Sequence, residues 1–374
     1  MRLALAELRA HLGRFLGTVL GLALLFTVVL AMGGIYRGMV VDAVALVDAA
    51  GDAVWLVEAG RHGPFAEASR VDPSAVERAR IVPGVADAEG LRVLGYQFAH
   101  EGRSLRVTLL STRTGASGTM RWTLAAGRLP LRAHGEIAVD RTLVLPLGAT
   151  LTLADQPFTV VGTLRGAVAS SGDAAGVLSE GDLLDVARYL PPADRALGHS
   201  PPPDPPLAAV LVTLQPGASP VRVMRDLSEV PGVQAWTAEG QRQLLLQGAV
   251  DKARRQIGLF RALLVVVSTA LLSLVTFSLT ASKTREIALV KLLGARGRTV
   301  ISWVASQALA MTLAAYGVAV LLGRGVFPRF PRRVVIEPRD LYIGLAVALL
   351  LSAVSSVAAV RRALAVPAGE VLGG

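Results

Sequence analysis

Four stretches of the chain contain no charged residue and consist mostly of leucine, valine and alanine. They run from Phe15 to Tyr36, Ala262 to Ser282, Thr299 to Gly323 and Leu341 to Val360, with lengths of 22, 21, 25 and 20 residues. A helix rises about 1.5 Å per residue, so about 20 residues cross a hydrocarbon core of roughly 30 Å. Each stretch is long enough to span a membrane. Buried helices of a soluble domain rarely give four such runs with charged residues on both sides.

The first apolar run has a second interpretation, because Arg2, Arg9 and Arg14 precede it as they would precede a secretory signal. The apolar part of a signal is about 7–15 residues long. The run here has 22 residues, and no small-x-small cleavage site follows it cleanly. A retained membrane anchor is the better prediction.

The pattern predicts an α+β membrane protein with four transmembrane helices and an extracytoplasmic α+β domain inserted between spans 1 and 2. The predicted parts are a cytoplasmic N-terminal segment (1–14), transmembrane helix 1 (15–37), the extracytoplasmic domain (38–240), a stalk with transmembrane helix 2 (241–282), a cytoplasmic helix (283–298), transmembrane helix 3 (299–323), an outer loop (324–340), transmembrane helix 4 (341–360) and a cytoplasmic tail (361–374).

The placement of charge argues against nucleic-acid binding. The whole chain has a net charge of +10, yet residues 38–261 hold 22 basic and 23 acidic residues. The remaining 150 residues carry a net charge of +11. A nucleic-acid-binding domain would carry its own basic patch. The basic excess instead flanks the apolar runs, so no nucleic-acid partner is expected.

The flanking charges also predict the orientation, because basic residues favour the cytoplasmic side of short loops. Ten basic residues lie in the N-terminal segment, the 281–299 loop and the C-terminal tail, against five arginines in the 324–340 loop. We therefore expect a multi-pass protein of the cell (inner) membrane with both termini in the cytoplasm.

The inserted domain repeats one pattern at its two ends. A strand over residues 53–58, a helix over 73–80 and Val82-Pro-Gly-Val85 are followed by a strand-like stretch through Phe98. A strand over 208–214, a helix over 219–229 and Val230-Pro-Gly-Val233 repeat the order. This predicts a split β-α-β part.

The residues between the two repeats predict a β-rich insertion. Short alternating runs at 105–110, 136–139, 149–154 and 158–161 are typical of strands. Prolines crowd residues 191–206, which suits an exposed loop that is either a plain linker or a docking segment.

Beyond the domain, residues 238–281 contain no proline and predict one continuous helix that leads into the second span. At about 1.5 Å per residue such a helix is about twice as long as the hydrocarbon core is thick. We interpret it as a stalk.

Motifs for catalysis are missing from the sequence. The chain has no cysteine, only three lysines and five scattered histidines, and G-x-x-x-x-G-K-[ST], G-x-G-x-x-G, H-E-x-x-H and G-x-S-x-G do not occur. The chain is therefore expected to be a non-catalytic subunit with no cofactor of its own. The apolar runs also lack the ionisable residues that ion-coupled transporters use.

Gly13, Gly17 and Gly21 recur every fourth residue and share one face of the first helix. Such spacing allows helices to approach closely. The glycines are candidates for packing within the chain or across a dimer.

The loop between spans 2 and 3 reads Ser282-Lys-Thr-Arg-Glu-Ile-Ala-Leu-Val-Lys-Leu-Leu-Gly-Ala-Arg-Gly-Arg-Thr-Val-Ile301. Ile287, Val290 and Leu293 fall near one face of a short helix, and Gly294 suits its C-terminal end. A basic amphipathic helix of this kind can also lie on lipid headgroups.

This loop strongly resembles the corresponding loop of MacB/FtsX-type permeases, including their LolC/E and DevC relatives, whose pattern is roughly T-R-E-I-G-x-x-[KR]-A-[LI]-G-A. Ala288 and Leu292 depart mildly from it. The matching residues are Thr284, Arg285, Glu286, Ile287, Lys291, Leu293, Gly294 and Ala295.

The resemblance implies a permease subunit of an ABC transporter, whose separate ATPase binds ATP and Mg and docks on the 283–298 helix. With Val290, the matching residues are then the ATPase-coupling site. A second permease subunit, in a homo- or heterodimer, is the other expected partner, and the resemblance leaves room for a membrane-fusion adaptor or another outer-side protein. ATP-driven motion would reach the outer domain and export or extract a lipophilic, lipoprotein-like or amphipathic substrate.

Two other classes of function stay open. Like the FtsX branch, the chain can be a regulator that activates an envelope partner without moving a substrate. A membrane-anchored sensor or adhesion domain would not need the 283–295 motif.

Overall fold

The structure is a computed structural model of the chain and describes residues 12–112, 118–132, 134–189, 206–282, 289, 297–330 and 332–365. The chain divides into two compact units. One, the membrane unit, comprises Met1–Gly38 and Ala253–Gly374, and the other, the domain, comprises Met39–Lys252.

In chain order the elements of the described residues are α1 Leu12–Ala49, β1 Val54–Glu58, α2 Ser74–Arg80, β2 Val85–Leu91, β3 Val93–His100, β4 Arg103–Thr112, β5 Leu124–Gly127, β6 Glu136–Asp140, β7 Thr150–Leu153, β8 Gln156–Leu164, β9 Ala174–Ser179, α3 Glu180–Arg188, β10 Ala209–Leu214, α4 Pro220–Ser228, β11 Val233–Trp236, α5 Ala238–Leu245, α6 Asp251–Ser282, α7 Gly297–Val326 and α8 Pro338–Ala365.

The first sheet of the domain is four-stranded, antiparallel and ordered β11-β1-β10-β2. With α2 and α4 this is the split β-α-β arrangement predicted from the sequence, interrupted after β2 by a long insertion. The repeated Pro-Gly pairs form the turns after the two helices. Gly84 and Gly232 have φ of +91° and +80° there, a backbone region that glycine adopts without strain.

Both faces of this sheet are buried, and the period of two along each strand separates them. Val54 and Leu56 of β1 pack with Val210 and Val212 of β10 in a core beneath α2 and α4. Trp55 and Val57 point to the opposite face, into a second core. This explains why the first four residues of β1, Val54 to Val57, are all apolar instead of alternating with polar residues.

The second sheet has seven strands, with the path β3-β4-β9-β6-β8-β5 and with β7 paired to β8. The strand-like stretch expected to run through Phe98 is two strands in different sheets, β2 and β3. The chain changes sheets at Arg92. The Arg92 amide donates to the Ser111 hydroxyl, and the Ser111 amide donates to the Arg92 carbonyl. The alternation of side chains carried no sign of this break.

The insertion also contains a helix that the sequence reasoning missed, α3. It begins after Ser179, whose hydroxyl accepts from the Asp182 amide at 3.1 Å. Ser179 as an N-cap and acidic residues in the first turn are the ordinary signals of a helix start. The helix has only nine residues and no long apolar stripe, so its helical periodicity could not be recognised in the sequence.

The core around Trp55 joins both sheets to the two helices at the ends of the domain. Its buried members include Leu46 and Val47 from α1, Leu245 from α5, and Ala138 and Val177 from the second sheet. Trp55 itself is fully buried. The C-terminal ends of α1 and α5 are thus part of the interior of the domain.

Four helices are long and apolar enough to cross a membrane, in the part of the chain that the structure describes. Their spans are Leu16–Ala49, Ala253–Ser278, Val304–Arg329 and Pro338–Val357. The predicted α+β membrane architecture, with the domain between the first and second spans, is confirmed.

The predicted stalk helix is helical throughout but not uniformly α-helical. Five residues between α5 and α6, Leu246–Val250, form a π-helical turn. Gly248 lies in this turn, and glycine lowers the preference for regular α-helix by roughly 1 kcal/mol relative to alanine. Isolated π turns inside helices recur at functional sites.

Glu136, buried at the start of β6, accepts four hydrogen bonds. Arg128 donates to both carboxylate oxygens, at 2.6 and 2.8 Å. The amides of Leu131 and Arg132 donate at 2.9 and 3.1 Å. The Arg128 guanidinium, with these amides, lowers the pKa of Glu136 to about 2.

This geometry makes the stability of the domain depend on pH. The pKa is lowered in the folded state from 4.5 to about 2, so the contribution is complete above pH 4.5 and is lost as pH falls towards 2. We expect Glu136→Gln to lower the unfolding free energy by about 2 kcal/mol at neutral pH. The loss is smaller than the full pKa shift would give, because Arg128 is partly exposed and solvent screens the pair. Thermal unfolding of the detergent-solubilised chain, followed by tryptophan fluorescence at several pH values, measures both effects.

The exposed Glu101, which has no ion pair among the described residues, supplies the control Glu101→Gln. That variant should unfold like the wild type. Equal melting temperatures for Glu136→Gln and the wild type at neutral pH would contradict the assignment.

Candidate functional site

The nine residues predicted to couple to an ATPase lie outside the described residues. They are Thr284, Arg285, Glu286, Ile287, Val290, Lys291, Leu293, Gly294 and Ala295. The helix α6 ends at Ser282, and α7 begins at Gly297. Between them Leu289 alone is described; it is helical and 47% exposed.

The membrane unit has its own apolar core, built by α1, α6, α7 and α8. Phe26 of α1 meets the ring of Tyr316 of α7 edge-on at 6.1 Å. The Tyr316 hydroxyl donates to the carbonyl of Leu341 in α8 at 2.6 Å. The Thr27 hydroxyl donates to the Ala23 carbonyl of its own helix at 2.7 Å and lies 3.4 Å from the Ala319 carbonyl of α7. These contacts tie the first, third and fourth spans together.

The second span is the least packed of the four. Only 11% of its most apolar window is buried, against 44% for the first span. Its exposed side chains include Leu259, Leu263, Val266, Leu274 and Phe277. Within one chain, most of the surface of α6 is left for lipid or for another subunit.

The glycine stripe of Gly13, Gly17 and Gly21 is also unused within the described part of the chain. A Cβ placed on any of the three meets nothing within 4 Å. Leu16, Leu20 and other large apolar side chains beside the stripe are exposed as well.

The close approach in α1 occurs instead at Gly34 and Gly38, which the sequence reasoning did not single out. A Cβ on Gly38 would lie 1.9 Å from the Arg333 carbonyl oxygen, and one on Gly34 would lie 2.5 Å from Val334 Cγ1. The Val335 amide donates to the Gly34 carbonyl at 3.0 Å. We call residues 332–337, which lie on these glycines, the strap.

Arg37, between the two glycines, binds both carboxylates of the strap region. Its guanidinium lies 2.6 Å from Glu337 Oε1 and 2.8 Å from Asp340 Oδ1. Asp340 Oδ2 also accepts from the Glu337 amide at 3.0 Å, at the start of α8. This ion cluster, the Arg37 clamp, fixes the strap and the start of α8 to α1.

At the domain side, the ends of α1 and α5 are joined by a further ion pair. Arg242 Nε of α5 donates to Asp48 Oδ1 of α1 at 2.6 Å. Gln241, fully buried, donates to the His62 carbonyl at 2.9 Å. Both contacts stiffen the ends of the domain at which its two connecting helices begin.

Among the described residues no three histidine, aspartate or glutamate side chains come together as a metal site requires.

Comparison with known families identifies the architecture. A model of the MacB-like periplasmic core domain matches residues 15–230, more than half of the chain, and a model of the FtsX-like permease C-terminal region matches residues 258–368. The chain belongs to the MacB/FtsX-type ABC transporter permeases. The family expected from the 284–295 motif is confirmed, and the chain is a multi-pass membrane permease subunit.

Curated relatives extend along the whole chain. An uncharacterised ABC transporter permease of Mycobacterium tuberculosis (strain ATCC 25618 / H37Rv) is 26% identical over 373 residues, covering 99% of both chains. One of Mycobacterium bovis (strain ATCC BAA-935 / AF2122/97) is 25% identical over 375 residues, again covering 99% of both.

Two solved structures are also similar. The periplasmic region of MacB from Actinobacillus actinomycetemcomitans has a TM-score of 0.35 and 11% identity, covering 52% of this chain and 92% of that one. The extracellular domain of the ABC-type transporter YknZ from Gram-positive bacteria has a TM-score of 0.33 and 15% identity, covering 50% of this chain and 98% of that one.

A sequence signal for the strap contact in this permease did exist. Gly34 and Gly38 have the same four-residue spacing as the Gly13 stripe. Spacing alone does not say which of the two sets of glycines packs against another segment, because that segment, the strap, lies some 300 positions away in the chain.

One glycine from each set makes a matched test. We expect Gly38→Ala to lower the unfolding free energy by about 1–3 kcal/mol, because the added methyl must displace the Arg333 carbonyl. Gly17→Ala, on the same helix, should leave the melting temperature of the protomer unchanged or raise it, because alanine favours helix. Thermal unfolding of both variants in detergent measures the difference. The same loss of stability in both would contradict the strap contact.

Proposed function

We propose that the chain is the mechanical membrane subunit of an ABC transporter. A separate ATPase docks on residues 283–298, and its ATP-driven closure moves the outer domain. As a permease of an ABC transporter the chain implies an ATPase partner, and its sequence contains no phosphate-binding loop of its own.

The observation that carries the proposal is how the domain is connected to the spans. One connection is α1, and the other is α5 with the π turn and α6. Leu46 and Val47 of α1 and Leu245 at the C-terminal end of α5 belong to the core around Trp55. Close-packed protein interiors are barely compressible, so they transmit a displacement instead of absorbing it. A shift of either helix is therefore passed to both sheets.

A second permease subunit is part of the proposal. The exposed glycines of α1 and the exposed apolar side chains of α6 supply surface for it. Small residues at four-residue spacing allow close helix contact in lipid. The pairing can be between copies of this chain or with a related subunit.

The substrate class that we propose is lipophilic, lipoprotein-like or amphipathic, and its export or extraction takes place on the outer side. Support comes from the four apolar runs of the spans. They contain no charged residue that could line a path for an ion or a charged solute. The alternative, activation of an envelope partner without transport, uses the same ATPase coupling. ATP-dependent release of lipoprotein from reconstituted vesicles would separate the two, because a pure regulator releases none.

Coupling to the ATPase is tested by co-purification. Glu286→Lys combined with Gly294→Pro should abolish recovery of a coexpressed ABC-type ATPase on the tagged chain, because it reverses a charge and replaces the glycine that ends the docking helix with a residue that cannot adopt a positive φ. Glu229→Lys makes the same charge change on an exposed residue of the domain and should retain the ATPase. Full recovery with the double variant would rule out the 283–298 helix as the docking site.

The proposed orientation is tested by cysteine labelling, which has no background because the chain has no cysteine. In the proposed orientation Ser219→Cys places a thiol outside, in the domain, and Thr299→Cys places one in the cytoplasm, at the start of α7. Both positions are exposed. A membrane-impermeant maleimide should label Ser219→Cys in intact cells and Thr299→Cys only after permeabilisation. The reverse result would place the termini outside the cytoplasm.

A further inference from the structure

The charge of the membrane unit is unbalanced at the end that carries the strap. Among its described residues the unit has two carboxylates, Glu337 and Asp340, and both are bound by Arg37. Seven exposed arginines lie towards the same end without a carboxylate partner among the described residues. They are Arg254, Arg255, Arg261, Arg324, Arg329, Arg332 and Arg339, which we call the arginine rim.

The Arg37 clamp is what leaves the rim positively charged. Glu337 and Asp340 lie beside Arg339 in sequence and would neutralise nearby arginines if they were free. Their oxygens are instead held 2.6 and 2.8 Å from Arg37. The strap, which carries Arg332, is held against Gly34 and Gly38.

The rim lies where the apolar spans end. Arg324 directly follows the third uncharged run, and Arg261 directly precedes the second. Arg261 is also beside α1, with Nη1 3.8 Å from a Cβ placed on Gly33. Residues at this depth meet the headgroup layer, where the phosphates of lipids are located.

We propose that the arginine rim binds anionic phospholipid headgroups in the leaflet on the strap side, in preference to zwitterionic ones. Guanidinium groups bind phosphate oxygens in pairs of hydrogen bonds. Clusters of about four to eight basic residues next to a span attract anionic lipid, with an effect that adds up over the residues. The binding uses no step of the ATPase cycle, so it stands or falls separately from the proposed function.

A plain anchoring role makes a different prediction. Arginines that only reach the headgroup layer bind the phosphates of zwitterionic and anionic lipids alike. Selectivity for net negative charge is therefore the property to measure.

The test uses the full chain, purified in mild detergent and incubated with equal amounts of phosphatidylglycerol and phosphatidylcholine of the same acyl chains. Native mass spectrometry counts the lipids retained. We expect the wild type to retain phosphatidylglycerol about tenfold over phosphatidylcholine, and Arg324→Gln/Arg332→Gln/Arg339→Gln to lower that ratio at least about fivefold. Gel filtration and thermal unfolding of the variant should match the wild type, because these side chains make no hydrogen bond or ion pair among the described residues.

The matched control is Arg70→Gln/Arg222→Gln/Arg225→Gln, which removes three exposed arginines from the domain and should keep the full preference. Equal retention of the two lipids by the wild type, an unchanged ratio in the rim variant, or the same loss in the control would overturn the proposal. Displacement of the lipid by excess glycerol phosphate would overturn it too, since the site would then take free phosphate. Release of a co-purified acidic protein by the rim variant, without any lipid preference in the wild type, would assign the rim to a protein partner.

Discussion

The domain depends on one shared hydrophobic core, the cluster around Trp55. A single face of the four-stranded sheet, the inner face of the seven-stranded sheet, and the ends of α1 and α5 all contribute to it. Because the side chains are close-packed, none of these parts can shift alone. The same packing that stabilises the domain therefore holds the C-terminal end of α1 and the helix α5 in its interior.

The membrane unit solves a different problem with different interactions. In lipid, apolar side chains gain nothing by leaving one apolar environment for another, so helices associate through close backbone contact and polar groups. Gly34 and Gly38 provide the contact, and Arg37 with Glu337 and Asp340 provides the polar groups. Because both carboxylates pair with Arg37, the seven arginines of the rim have no carboxylate partner among the described residues and form a positively charged surface.

The sequence reasoning succeeded where a signal was local. The Val82-Pro-Gly-Val85 and Val230-Pro-Gly-Val233 turns, the strands around them and the four spans all follow from short patterns. It failed at Arg92, where an unbroken strand pattern changes sheets, and at α3, whose nine residues end a strand-rich stretch. The π turn at Leu246–Val250 was also missed, because nothing but Gly248 marks it in the sequence.

By itself the sequence determined the number of spans, the position of the domain between the first two, and the family, because length, absence of charge and a contiguous motif need no partner in space. The tertiary structure alone decided which glycines of α1 have a neighbour, which acids bind Arg37 and which arginines stay exposed. Those outcomes depend on residues about 300 positions apart being brought together, and spacing along a helix is the same whether or not anything packs against it.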